Sequence, residues 1–248
     1  MPPDRGHLPP YAHAADDDQG LRIFLARVYL KMAAGLVLSA AVAGAIFLSP
    51  PIRDVLLALS PGGDTALTWT GIALLVAPLL MLVAINFLVR DPTGNGAGPL
   101  FWCIAALIGG SMSLLAIIST GAALISTFLV TAGAFVGLSL WGYITHQNLR
   151  GVGSFLTLAL SGLIIALLAN IMLQSPAVNL ALNASGVLIF SGLIASDTQR
   201  LKDVYYESTD PEVLDAISSY GALSLYLNLV NLPQLLLSFL ARRPRRPD

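Results

Sequence analysis

Apolar runs of membrane length, each closed by a charged or Pro/Gly-rich connection, decide what this chain can fold into. A helix needs about 20 mostly apolar residues to cross a bilayer. Such runs lie at about Ile23–Ser49, Ala66–Val89, Leu100–Ser119, Ala122–Ile144, Gly153–Leu173, Ala177–Thr198 and Ile217–Leu240. The composition agrees: of 248 residues 56% are hydrophobic and 11% charged, against about 25% charged in a soluble domain. The expected fold is an all-α integral membrane protein, one seven-helix bundle over 21–241. Residues 1–20, polar and rich in Pro, His and Asp, read as a disordered tail with no secretory layout. Residues 242–248 form a basic tail.

The connections carry the remaining expectations. Pro50-Pro51 closes the first run, and Pro78 should kink the second helix. Thr120-Gly121 is a tight turn, His146–Arg150 a short loop, and Leu201–Asp215 the one long hydrophilic loop. The small residues Gly109, Gly110, Ser113, Gly133 and Gly137 should allow close helix packing. The lone cysteine, Cys103, excludes an intramolecular disulfide and reads as a small buried hydrophobe. Basic residues orient a membrane protein with its positive loops in the cytoplasm. An N-terminus inside places Arg5, Arg22, Arg27, Lys31, Arg90, Arg150, Arg200 and Lys202 there, leaving Arg53 outside. The C-terminal arginines, Arg242 to Arg246, break that pattern. Either the tail tolerates this or the last segment, which contains Asn228, Asn231 and Pro233, is broken and returns.

One carboxylate, Asp197, lies within the membrane runs, near the end of Ser185–Arg200; every other acid lies outside them. An acid at a helix centre in a bilayer costs about 2.5 to 3.5 kcal/mol on insertion scales, so Asp197 needs a partner or a role. The second and sixth runs end on the same side, which puts Arg90 and Asp197 at similar depth. The seventh run begins there. Its Asn228 and Asn231 are three residues apart, on one helix face, with Tyr226 just before them. The expected site is a polar cluster of the second, sixth and seventh helices. Two plainer readings stand beside it: Asp197 as a surface ion pair with Arg200, and the asparagines as interhelical hydrogen-bond glue.

Residue inventory removes several enzyme classes. Aspartyl intramembrane proteolysis needs two membrane carboxylates. A rhomboid-type serine site needs a membrane histidine, and a retinal protein a lysine in its last helix. The chain offers none of these, and no phosphate loop, metal-ligand cluster or nucleotide fingerprint. Neither an enzyme nor a cofactor nor a nucleic-acid partner is expected.

Four stretches bear a specific likeness. FSGLIASDTQRLK (Phe190–Lys202) resembles the sixth-helix motif of the Bax inhibitor-1, or transmembrane Bax inhibitor motif, family. GALSLYLNLVNL (Gly221–Leu232) resembles its seventh-helix motif, and FVGLSLWGYITHQNLRGVGSFL (Phe135–Leu156) its fourth-helix and loop signature. GLRIFLARVY (Gly20–Tyr29) resembles the opening of bacterial members. In order, they cover the chain from about Gly20 to Leu240.

The resemblance implies a seven-helix bundle around a central last helix, in the bacterial inner membrane, with a pH-sensitive calcium leak. In the family the acid matching Asp197 shares a proton with a second acid on the last helix, and a basic residue at the position of Arg90 latches the closed state. Here Asn228 replaces the second acid, Ser196 an aromatic, Asn148 a loop acid and Pro233 a phenylalanine. Two adjacent carboxylates push one pKa up because both resist ionising together; an Asp–Asn pair lacks that repulsion. Calcium prefers several hard oxygens, so a weak site at Asp197 and Asn228, with no tightly bound metal, is the expectation. Arg200 is a second candidate latch, and Asn231 and Tyr226 are supporting polar groups. The resemblance also raises an alternative, a non-conducting modulator of a membrane-anchored AAA protease.

Overall fold

A backbone in hydrocarbon must satisfy its own N–H and C=O groups, and helix does so almost throughout this chain. The structure, a computed structural model, describes residues 10–59, 65–88, 97–118, 121–145, 147–207 and 211–240. In order, the elements are α1 (Pro10–Leu48), α2 (Pro50–Leu56), β1 (Leu57–Leu59), β2 (Thr65–Leu67), α3 (Trp69–Leu88), α4 (Ala97–Ile118), α5 (Gly121–Ile144), α6 (Arg150–Leu173), α7 (Pro176–Glu207) and α8 (Pro211–Leu240). Among the described residues, five helices are long and apolar enough to cross a membrane, the spans lying in α1, α5, α6, α7 and α8. The chain is a multi-pass membrane protein.

Where seven helices are expected, the described residues form eight. The addition is α2, of 7 residues. Pro50-Pro51 does more than stop α1: proline suits the first positions of a helix, where no N–H is needed, and here it starts one. Behind α2 the β1–β2 hairpin pairs Leu57 with Leu67. Thr68 then caps α3, its Oγ1 accepting the Gly71 N–H at 3.2 Å and donating to the Val55 carbonyl at 2.6 Å.

Other boundaries shift too. Helix α1 begins at Pro10, so the expected tail over 1–20 is helical in its second half; residues 1–9 and 242–248 lie outside the described residues. The expected hydrophilic loop 201–215 is mostly helix, since α7 reaches Glu207 and α8 starts at Pro211. Among the described residues its charges lie on helical turns, where Asp203 and Glu207 pair with Arg150 and Asp215 with Lys31. Helix α8 runs unbroken through Pro233, which excludes the broken-helix alternative. Helix α3 continues through position 78.

The last helix is the hub. Helix α8 packs against α1, α4, α5 and α7, and 56% of its membrane window is buried, compared with 11% for α6. Its inner face supplies Leu225, Tyr226, Val230 and Leu232 to a core shared with Val28 of α1 and Phe101 and Ile104 of α4. Backbone-to-backbone closeness sets the crossings. A Cβ at Gly109 would strike the Ser39 backbone of α1, and one at Gly142 would strike the Ala195 carbonyl of α7. Of the expected packing glycines, Gly109 and Gly110 meet neighbours, whereas Gly133 and Gly137 face open space. Cys103 is exposed, not buried: in lipid a thiol needs no protein interior to leave water.

Candidate functional site

Asp197 is held between α7 and α8. Its Oδ2 accepts from Ser224 Oγ at 2.5 Å and from Asn228 Nδ2 at 2.8 Å. Ser224 and Asn228 are one helical turn apart, so both project from the same face of α8. Asn228 is 5% exposed, which shields this side of the carboxylate from water. Two donors on one oxygen offset part of the cost of dehydrating it. The other oxygen, Oδ1, makes no hydrogen bond among the described residues.

Asp197 also lines a cleft of about 260 Å³ between α6 and α7. At its mouth Arg150, the first residue of α6, bridges two acids one turn apart on α7: its Nε donates to Asp203 Oδ2 at 2.9 Å and its Nη2 to Glu207 Oε1 at 3.0 Å. Arg200 lines the same cleft but makes no ion pair with Asp197 among the described residues. The reason is helical direction: side chains three apart share a face, yet Asp197 is turned toward the donors on α8 while Arg200 is exposed. The simple surface-pair reading therefore does not describe Asp197.

The α5–α6 connection is pinned to the same end of α7. Gln199 Oε1 accepts the Leu149 N–H at 2.6 Å, and its Nε2 donates to the Gln147 carbonyl at 2.8 Å. Asn148 Oδ1 accepts the Arg150 N–H at 2.9 Å, starting α6. Ser196 sits under Gly153, where a Cβ would meet its Oγ; an aromatic at 196 would force α6 away from α7. The small side chain at 196 and the glycine at 153 thus set the width of the cleft.

The remaining expected site residues divide. Asp197 and Asn228 are brought together. Asn231 donates Nδ2 to the Leu227 carbonyl one turn back at 2.8 Å, satisfying itself within α8 instead of gluing two helices. Tyr226 faces away from Asp197: its hydroxyl pairs with Ser39 Oγ of α1 at 2.7 Å, and its ring meets Phe101 edge-on at 5.8 Å. It braces the α1–α4–α8 junction. Arg90 and His146 lie outside the described residues.

Sequence reasoning missed Ser224, although its spacing to Asn228 and Asn231, four and then three, is a helix face in plain view. It also missed Lys31, whose Nζ donates to Asp215 Oδ1 (3.0 Å), Ser218 Oγ (2.8 Å) and Ser219 Oγ (2.9 Å). Arg27 stands 3.7 Å from the same Asp215 carboxylate, so α1 and α8 are clasped at this end.

Of the Asp197 carboxylate, Oδ1 is the oxygen left for a cation among the described residues. The amide of Asn228 presents nitrogen, not oxygen, to the carboxylate, and would have to turn over to become a ligand. Among the described residues no three His, Cys, Asp or Glu side chains gather to hold a metal. Calcium commonly takes six to eight oxygens, so these residues fit transient contact with a partly hydrated ion and not a closed cage.

Comparison with known proteins gives the family. A family model described as "Inhibitor of apoptosis-promoting Bax1" matches residues 21–245. A protein of Caulobacter vibrioides is 47% identical over 223 residues, spanning 90% of this chain and 89% of its own. The protein RP147 of Rickettsia prowazekii is 36% identical over 228 residues, 91% and 92% of the two chains. The inner membrane protein YbhL of Escherichia coli is 35% identical over 226 residues, 90% and 93%.

Proposed function

Because the chain belongs to the Bax inhibitor-1 family, we propose that it crosses the inner membrane seven times and leaks cations, calcium among them, past Asp197. The observation that carries this reading is the placement of Asp197. It is a membrane carboxylate on α7, hydrogen-bonded to the most buried helix through one oxygen, with the other oxygen unpaired among the described residues. An acid kept in such a place is costly unless it serves ion passage or holds the bundle together. The cleft of Arg150, Asp203 and Glu207 gives a hydrated approach from the charged end of the bundle.

In this reading Asn228 takes the second acid's place. It ties α8 to α7 by a hydrogen bond whose donor, an amide, does not titrate, so opening is governed weakly by proton concentration. Arg90 remains the proposed latch, with the N-terminus in the cytoplasm.

Calcium flux in proteoliposomes, measured between pH 6 and 8, tests the proposal. Wild type is expected to leak with shallow pH dependence. Asp197→Asn should cut the flux at least tenfold, while Asn228→Asp should steepen its pH dependence by restoring a carboxylate pair. No flux from wild type or Asn228→Asp, at matched reconstitution, overturns the channel reading.

A further inference from the structure

At the end of the bundle opposite the charged cleft, α6 turns into α7 through Gln174, which adopts a left-handed conformation with φ 49°. Between the two helices lies a pocket of about 450 Å³, within the size range of small-molecule sites, roughly 300 to 1,000 Å³. Its polar lining is uncharged: Asn170, Gln174, Ser175 and Asn179. Asn170 is 8% exposed, and its Oδ1 is buried with no hydrogen-bond partner among the described residues. An orphaned buried acceptor costs about 1 to 3 kcal/mol, which asks for a donor that the protein itself does not supply.

The opposite need lies in the same lining. Asn179 Oδ1 already accepts from Asn183 Nδ2 at 2.9 Å, which leaves Asn179 Nδ2 as a donor unpaired among the described residues. Beside it starts α7, whose N-terminus carries partial positive charge and suits phosphate. The pocket thus presents acceptors on the α6 side and donors on the α7 side, with no lysine or arginine. A purely anionic ligand would want those cations.

Depth identifies the ligand's source. Asn170 is 20 residues past Arg150 on one helix, or about 30 Å at 1.5 Å per residue, matching the roughly 30 Å hydrocarbon core. The pocket therefore sits at headgroup level in the leaflet facing away from Arg150. Its apolar lining is Leu167 and Ile171; Leu167 and the 59% exposed Leu168 lie nearer the bilayer centre than Asn170, where acyl chains would lie.

We propose that this pocket binds the head group of phosphatidylethanolamine, the ammonium donating to Asn170 Oδ1 and the phosphate resting at Asn179 and the start of α7. The proposal is independent of the ion-leak reading, since it uses none of the same residues.

Native mass spectrometry of the full chain, released from nanodiscs of equal phosphatidylethanolamine, phosphatidylcholine and phosphatidylglycerol, tests it. Phosphatidylcholine has the same phosphate but no N–H; phosphatidylglycerol has the phosphate without the ammonium. Wild type should retain phosphatidylethanolamine at least fivefold over either. Asn170→Leu, which removes the orphan, should lose that preference while melting no lower than wild type. Gln174→Gly keeps the left-handed turn and serves as a second probe; a loss of at least twofold in the preference is expected. Equal retention of phosphatidylcholine in wild type, equal retention of phosphatidylglycerol, or a preference undiminished in a folded Asn170→Leu protein each overturns the proposal.

Discussion

Asp197 accepts both of its hydrogen bonds on one oxygen, and both donors come from α8. The carboxylate is therefore a joint between helices as well as an ion-facing group, and the two roles separate by mutation. Interhelical hydrogen bonds in membranes average about 0.6 kcal/mol and reach about 1.7. The Ser224 bond falls toward the upper end, because its partner is a carboxylate with few other donors. Ser224→Ala should thus lower stability by about 1 kcal/mol, read by thermal unfolding in detergent. In a cycle with Asp197→Ala the two effects should couple by a similar amount; independent, additive effects would show that the bond does not form in the folded protein. The same residues show what a sequence discloses at this scale. A lone acid in an apolar run is conspicuous, and Asn228 opposite it could be placed by topology. Which end of an amide faces a carboxylate depends on what else surrounds both, and that is a packing fact. Arg200 illustrates the same limit: three residues from Asp197, it shares the cleft without touching the acid.

Helix crossings are where element-level expectations part from the structure. Glycines in an apolar run advertise close packing, but the run itself does not say which face meets protein and which meets lipid. Gly133 and Gly137 face open space, while Gly142, five residues further on and so on another face, lies against the Ala195 carbonyl. Backbone cannot swing aside as a side chain does, so Gly142→Val should push α5 off α7 and cost about 1 to 3 kcal/mol, as overpacking does. The bend would be transmitted to Ser196 and Asp197, which follow Ala195 directly on α7. Gly137→Ala should instead be neutral or stabilise by up to about 1 kcal/mol, because alanine is the better helix former. Melting temperatures of the two variants, side by side, check this. Equal tolerance of both would mean that α5 does not approach α7 at Gly142. The boundaries of the elements were also partly hidden. Helices α7 and α8 extend past the membrane into residues whose charges look like loop, since polarity marks where lipid ends and not where helix ends.

For the molecule as a whole, apolar length and the scarcity of charge were enough to give the class and the order of the long helices. The central position of α8 was not visible in its own composition; it follows from which helices surround it. The bundle also has two different ends. At one end Arg150 pairs with Asp203 and Glu207, and Arg27 and Lys31, midway along α1, meet Asp215 near the start of α8. The other end has α2, the β1–β2 hairpin and Trp69, 86% exposed. Positive residues hold their loops in the cytoplasm, so the charged end should face inward and the hairpin end outward. With Cys103 replaced by serine the chain has no thiol, and single cysteines then report position. Arg53→Cys, on α2, should react with a membrane-impermeant maleimide in intact spheroplasts. Glu207→Cys, at the end of α7, should react only after the membrane is opened. Reaction of both from outside would show that the two ends do not lie on opposite faces, and the reverse pattern would invert the bundle. That inversion would carry Asp197 and its charged cleft to the outer surface, and with them the direction from which any ion reaches the site.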